Sequence, residues 1–161
     1  MSKKSKDSRG KIAVIATDMP WQNVECIGIF DDLASANEEA ESHIRSFSAA
    51  FGEGGSYSYS GVDEADSVGW GMTLDKDGNE EEDGYEYLFL RCDGPCVFVR
   101  RTNFQTGDER ILGPYEDIDE ANAKALARCS EKFRTVAGTF GPGVYPVDTR
   151  RCHYVYIEAY E

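Results

Sequence analysis

The chain repeats part of its own sequence at an offset of 85 residues, and this repeat restricts the possible folds more than any other feature. Residues 12–44 align with residues 97–129 without a gap. Each copy consists of a β-prone run, a second run that ends in Gly-x-aromatic, and an apolar pattern of helical spacing. Asp32 and Asp117 precede these patterns, where an aspartate can accept hydrogen bonds from a first helical turn. The repeat therefore predicts strand, turn, strand and helix in both copies.

A further strand is predicted after each helix, because apolar and aromatic runs recur at 85–90 and 153–157. A hairpin partner for the first of these runs is predicted at 68–74, across the turn residues Asp77 and Gly78. The sequence thus predicts an α+β protein in which tandem duplicated ββαβ units form one pseudo-twofold core of a sheet and two helices. In this prediction residues 1–11 are a disordered basic arm, 12–94 are the first unit with an acidic Gly/Ser/Tyr insert at 52–84, and 95–161 are the second unit.

The first copy also carries the pattern G-[IVF]-[FY]-x-[DS]-x-x-x-A-N-x-x-A directly after a predicted strand. Its defining residues are Gly28, Phe30, Asp32, Ala36, Asn37 and Ala40. This pattern resembles one found in small, uncharacterised fungal proteins and covers roughly 30 residues per copy. The resemblance implies no activity.

Negative charge is concentrated in the first half of the chain. The 161 residues include 17 basic and 30 acidic side chains, a net charge of −13. Residues 12–86 hold two basic and eighteen acidic residues, whereas 87–161 hold ten and eleven, and 1–11 hold five and one. A surface of this sign repels phosphate groups. The folded body is therefore not expected to bind nucleic acid or an anionic membrane.

The chain shows no pattern of a membrane or secreted protein. No apolar run approaches the roughly 18–20 residues that cross a bilayer, and the first residues lack the apolar stretch of a secretory signal. The five cysteines are an odd number, for which reduced thiols are the default expectation. An intracellular protein of the cytoplasm or nucleus is expected.

The acidic first half and the aromatic residues of its insert form the candidate partner-binding surface. Aromatic side chains anchor interfaces at low entropic cost, and carboxylates attract cationic groups. The candidate residues are Tyr57, Tyr59, Trp70, Asp63, Glu64, Glu80, Glu81 and Glu82. An alternative for the aromatic residues is a lid that packs on the sheet of the protein itself.

The sequence favours a non-enzymatic, acidic protein-interaction domain that binds a basic protein partner. Two alternatives stay open: a small-molecule-binding or enzymatic domain with a pocket at the pseudo-twofold seam, and a self-assembling structural protein. In the last, the acidic half of one molecule would meet the arginine-bearing half of another. The chain has no recognisable catalytic motif, and neither His43 nor His153 stands in a nucleophile pattern.

One acidic segment has the ligand spacing of a calcium loop at its first, third, fifth and twelfth positions. These positions are Asp75, Asp77, Asn79 and Glu86. The sixth position is Glu80, although the sharp turn of such a loop requires glycine there, and strands are predicted on both sides. A solvated acidic turn is the preferred interpretation, with weak calcium binding as the alternative.

A zinc site is the second metal hypothesis. Its ligands would be Cys92, Cys96, Cys152 and His153. A C-x-x-x-C segment with one distant Cys-His pair is a weaker signal than two C-x-x-C knuckles. The sequence therefore disfavours zinc, and no cofactor is expected.

Overall fold

The protein is described by a computed structural model. It describes residues 10–18, 24–49, 56–74, 77–78, 80–103, 105–125, 134–135, 144–148 and 152–160. The elements in chain order are β1 Lys11–Asp18, β2 Val24–Phe30, α1 Leu33–Ala49, β3 Ser56–Ser60, β4 Ser67–Leu74, β5 Glu80–Cys92, β6 Cys96–Asn103, β7 Glu109–Tyr115, α2 Ile118–Ala125, β8 Arg134–Thr135, β9 Val144–Asp148 and β10 Cys152–Ala159.

In the described residues the strands form two antiparallel sheets of five strands each, so the fold is α+β. The first sheet has the order β2-β1-β5-β4-β3, and the second has the order β7-β6-β10-β9-β8. The two sheets have the same topology: in each sheet the first of its five strands in chain order lies between the second and the fifth, and the third strand lies at an edge. The structure thus has two sheets where the sequence predicted one, and among the described residues three strands follow each helix.

The extra strands have local causes in the sequence. Ser and Tyr alternate over Ser56–Ser60, and a period of two places the two tyrosines on one face of a strand. The strand expected at 68–74 is present as β4, which pairs with β5. Gly78 lies in the turn that joins them, with φ at +82°, a backbone conformation that glycine adopts without strain.

The two sheets pack face to face and each carries one helix on its outer face. The central core contains Ile15 and Leu88 from the first sheet together with Phe98 and Ile157 from the second. On the outer side of the first sheet a separate cluster buries α1, and a third cluster buries α2 on the second sheet. The order of layers is helix, sheet, sheet, helix.

Both helices begin where the sequence indicates. Asp32 Oδ1 accepts a hydrogen bond from the Ser35 amide at 2.7 Å, and Asp117 Oδ1 accepts one from the Glu120 amide at 2.8 Å. Ala36 and Ala40 are fully buried, and such small side chains let α1 lie close to the sheet. Within the described parts of the chain, neither helix is long and apolar enough to span a membrane.

Candidate functional site

Six exposed carboxylates lie at one end of the first sheet, and we call them the acidic rim. They are Asp31, Asp32, Asp63, Glu64, Asp66 and Asp93. They come together because β1 is antiparallel to both of its neighbours: Ile12 pairs with Phe30 at the end of β2 and with Arg91 near the end of β5. The loop before β4 reaches the same end, since the Asp66 amide donates to the Phe89 carbonyl at 2.6 Å.

Two basic side chains lie within the rim. Lys11 Nζ is 3.4 Å from Asp31 Oδ1, and Arg91 Nε is 3.6 Å from Asp66 Oδ2. The hydrogen bond from the Ser35 amide lowers the pKa of Asp32. Because six carboxylates face two bases here, the rim has a negative local charge at neutral pH.

Two large apolar side chains adjoin the rim on β4. Val68 and Trp70 are each 43 % exposed. Val68 pairs with Leu88 and Trp70 with Glu86, so both lie on the face of the first sheet that is turned towards the second sheet. The second sheet covers β1, β2 and β5 through β6 and β10. It leaves these two β4 side chains in contact with solvent.

A groove of about 280 Å³, which we call the seam groove, separates β4 and β5 from the edge of the second sheet. Its lining residues are Asp66, Ser67, Val68, Leu88, Leu90, Arg91, Phe98, Ile111, Gly113 and Pro114. Leu88, Leu90 and Phe98 belong to the central core, so side chains of that core form the floor of the groove. The groove joins the acidic rim at Asp66 and the exposed β4 side chains at Val68.

A buried ionic cluster crosses the seam between the two sheets. Arg100 from β6 forms an ion pair with Glu86 of β5 at 2.9 Å, and it donates to Thr17 Oγ1 of β1 at 3.3 Å. Its Nε also donates to Glu109 Oε1 of β7 at 3.1 Å. Burial raises the pKa of Glu86, and the adjacent guanidinium opposes that rise. From β6, Arg100 thus contacts β1 and β5 of the first sheet and β7 of its own sheet.

His43 connects α1 to two strands of the first sheet. Its Nε2 lies 2.6 Å from Glu25 Oε1, and its Nδ1 lies 2.7 Å from the Tyr87 hydroxyl. Burial raises the pKa of Tyr87, which keeps that hydroxyl protonated. Nε2 can donate to the Glu25 carboxylate, which only accepts, and Nδ1 shares the second hydrogen bond with the Tyr87 hydroxyl. His43 therefore links α1 to β2 through Glu25 and to β5 through Tyr87.

The structure separates the aromatic residues that the sequence grouped. Tyr57 and Tyr59 pack against α1, where Tyr57 donates to Glu41 at 3.0 Å and Tyr59 donates to Asn37 at 2.7 Å. Burial raises the pKa of Tyr59 to about 12. Trp70 lies on the opposite face of the same sheet.

The acidic candidates occupy both ends of β4. Asp63 and Glu64 are exposed in the loop before it, whereas Glu80, Glu81 and Glu82 begin β5 at the other end of the hairpin. The sequence did not reveal Val68 or the rim as a whole. Only strand pairing brings those carboxylates together from three separate segments.

The calcium-loop residues do not meet at one point in the described part of the chain. Asp77 lies in the exposed turn, while Glu86 is bound to Arg100 inside the seam, six residues or about 20 Å along β5 from its first residue. Asp75 and Asn79 lie outside the described residues.

Three of the four zinc candidates lie at two ends of the β6–β10 ladder, whereas Cys92 ends β5 in the first sheet. Cys96 pairs with Ala159, whereas Cys152 pairs with Asn103 and His153 with Thr102. Seven residues of strand, about 23 Å, separate the two ends. Among the residues that the structure describes, no group of three or more His, Cys, Asp or Glu side chains is arranged to hold a metal ion.

Comparison with protein-family models, with curated proteins and with solved structures finds no significant match to this chain.

Proposed function

We propose that the protein is a non-enzymatic binding module for a basic segment of a partner protein. The observation that carries this proposal is the acidic rim next to Val68 and Trp70. Exposed apolar side chains supply contact area, and carboxylates around them select a cationic partner. Such an arrangement fits an extended chain in which lysine or arginine flanks an apolar residue.

The charge of the whole chain supports the same partner. Its net charge is −13, and eighteen of its thirty acidic residues lie in 12–86, which contains the rim except Asp93. A field of this sign accelerates the approach of a basic partner and repels an acidic one. The effect depends on ionic strength, because the Debye length falls from about 30 Å at 0.01 M salt to about 3 Å at 1 M.

The test uses a synthetic peptide of sequence KKGFGKK, titrated calorimetrically into the full chain. We expect binding that weakens at least about tenfold between 20 mM and 500 mM sodium chloride. The double variant D63K/E64K should also weaken binding about tenfold. The matched control D108K/D119K makes the same charge change at exposed residues of the second half and should bind like the wild type. Affinity that is indifferent to salt would refute the proposal.

The seam groove favours a second candidate, a small-molecule site. It is concave, and most of its lining side chains are apolar, which is typical of small-molecule sites. Native mass spectrometry of the protein purified under gentle conditions would detect a bound molecule as added mass.

The same measurement at increasing concentration tests the third candidate, self-assembly between the acidic half of one copy and the arginine-bearing half of another.

We also infer that the chain arose by tandem duplication of one unit. The gapless match between 12–44 and 97–129 supports this origin, and so does the equal strand order of the two sheets. Reduced cysteines would place the protein in the cytoplasm or nucleus, and the odd number of cysteines is consistent with that location.

A further inference from the structure

The seam groove has the size of a side-chain pocket. Pockets for drug-sized ligands and cofactors have volumes of roughly 300–1,000 Å³, whereas this groove has about 280 Å³. It lies at the lower limit of that range, and its floor is formed by core residues Leu88, Leu90 and Phe98. A single large apolar side chain matches this volume and this lining better than a cofactor does.

Charges at the groove indicate which chain would carry that side chain. Asp66 lines the groove and its side chain is 58 % exposed, whereas Arg91, its ion-pair partner, is 33 % exposed. Asp63 and Glu64 are exposed in the same loop. A peptide that enters here passes a negatively charged border before it reaches the apolar floor.

From this geometry we infer that the seam groove is an anchor pocket for one phenylalanine-sized apolar side chain of the basic partner segment. The inference rests on the proposed function and adds which basic segments the protein would select. The carboxylates of the rim attract the flanking lysine or arginine residues. The groove then selects segments that carry an apolar residue between them, because burial of that residue supplies affinity that does not depend on salt.

The first experiment compares KKGFGKK with KKGGGKK on the full chain at 100 mM sodium chloride. Burial of a phenylalanine side chain predicts that KKGFGKK binds about tenfold or more tightly. Equal, salt-sensitive affinities for the two peptides would overturn the anchor pocket and leave the proposed function intact. Absence of binding by both peptides at low salt would overturn both.

The second experiment locates the pocket with a variant that fills it. V68W enlarges an exposed wall residue of the groove, so it should reduce the affinity for KKGFGKK to that for KKGGGKK. The control S58W adds the same side chain at an exposed position of β3 outside the groove lining. It should keep the preference for KKGFGKK. If V68W keeps the full preference while its circular dichroism matches the wild type, the groove is not the anchor pocket.

Discussion

The Arg100 cluster gives the sharpest prediction about what holds the two sheets together. The side chains of Arg100 and Glu86 are only 9 % and 10 % exposed, and they are 2.9 Å apart. In R100L the Glu86 carboxylate keeps its burial and loses its cation. Removing one partner of a buried ion pair costs about 3–5 kcal/mol of unfolding free energy. Glu109 adds little to this cost, because its side chain is 41 % exposed and water can replace the lost contact.

The measurement is urea denaturation of R100L followed by intrinsic fluorescence. The double variant E86L/R100L should recover most of the loss, because apolar side chains can replace a buried ion pair at little cost. A loss below about 1 kcal/mol for R100L, or a double variant as unstable as the single one, would refute the idea that an uncompensated buried carboxylate is responsible.

The same variant should also show a defined pH dependence. The pKa of Glu86 is raised in the folded protein, so the folded state holds this proton more tightly than the unfolded state does. The carboxyl group therefore favours folding at low pH, and this contribution is lost as the pH rises through its raised pKa. R100L removes the cation that opposes the rise. Its destabilisation relative to the wild type should be largest at pH 7 and smaller at pH 4.5. An equal difference at both pH values would contradict this explanation.

Four other substitutions test separate contacts. N37A removes an amide that binds the loop after β3 and should cost about 2–3 kcal/mol in urea denaturation, with N37D intermediate. G71A should lower the melting temperature, since a Cβ there lies 3.0 Å from side chains of α1 and β5. H43A leaves the Tyr87 hydroxyl without its partner and should cost about 1–3 kcal/mol, less in the Y87F background. W70S should weaken KKGFGKK binding in calorimetry, while its circular dichroism spectrum should match that of the wild type.

Local patterns predicted the elements of the first half better than their arrangement. The helix starts at Asp32 and Asp117 follow from capping chemistry, and the β4–β5 hairpin follows from its turn residues. The apolar run 12–16 indicates a strand covered on both faces. It does not say what covers them: Ile15 faces the second sheet whereas Val14 faces α1. A helix and a sheet bury an apolar side chain equally well, so the second sheet was not predictable.

The candidate site shows the same limit for charged residues. Glu86 is twelfth in a calcium-like spacing, but that spacing is measured along the chain and takes no account of strand direction. Once β5 is a strand, Glu86 is carried into the seam and meets Arg100, fourteen residues later. Trp70 and Tyr59 are close in sequence, yet they lie on opposite faces because each strand fixes its own alternation. The charge balance of the sequence predicted a negatively charged surface. Strand pairing determined where on the fold that surface lies.

The edge of the second sheet explains why the groove stays open. A further strand added beside β7 would extend that sheet over Val68 and Trp70. Pro114 lies in β7 and has no amide hydrogen to offer a new neighbour. Gly113, with φ at +111°, and an irregular register with β6 distort the same strand. These features discourage pairing along β7, so the face of β4 next to the acidic rim remains available for a partner. Substitution of Pro114 by threonine should therefore increase self-association in sedimentation velocity, and an unchanged monomer fraction would contradict this role of the proline.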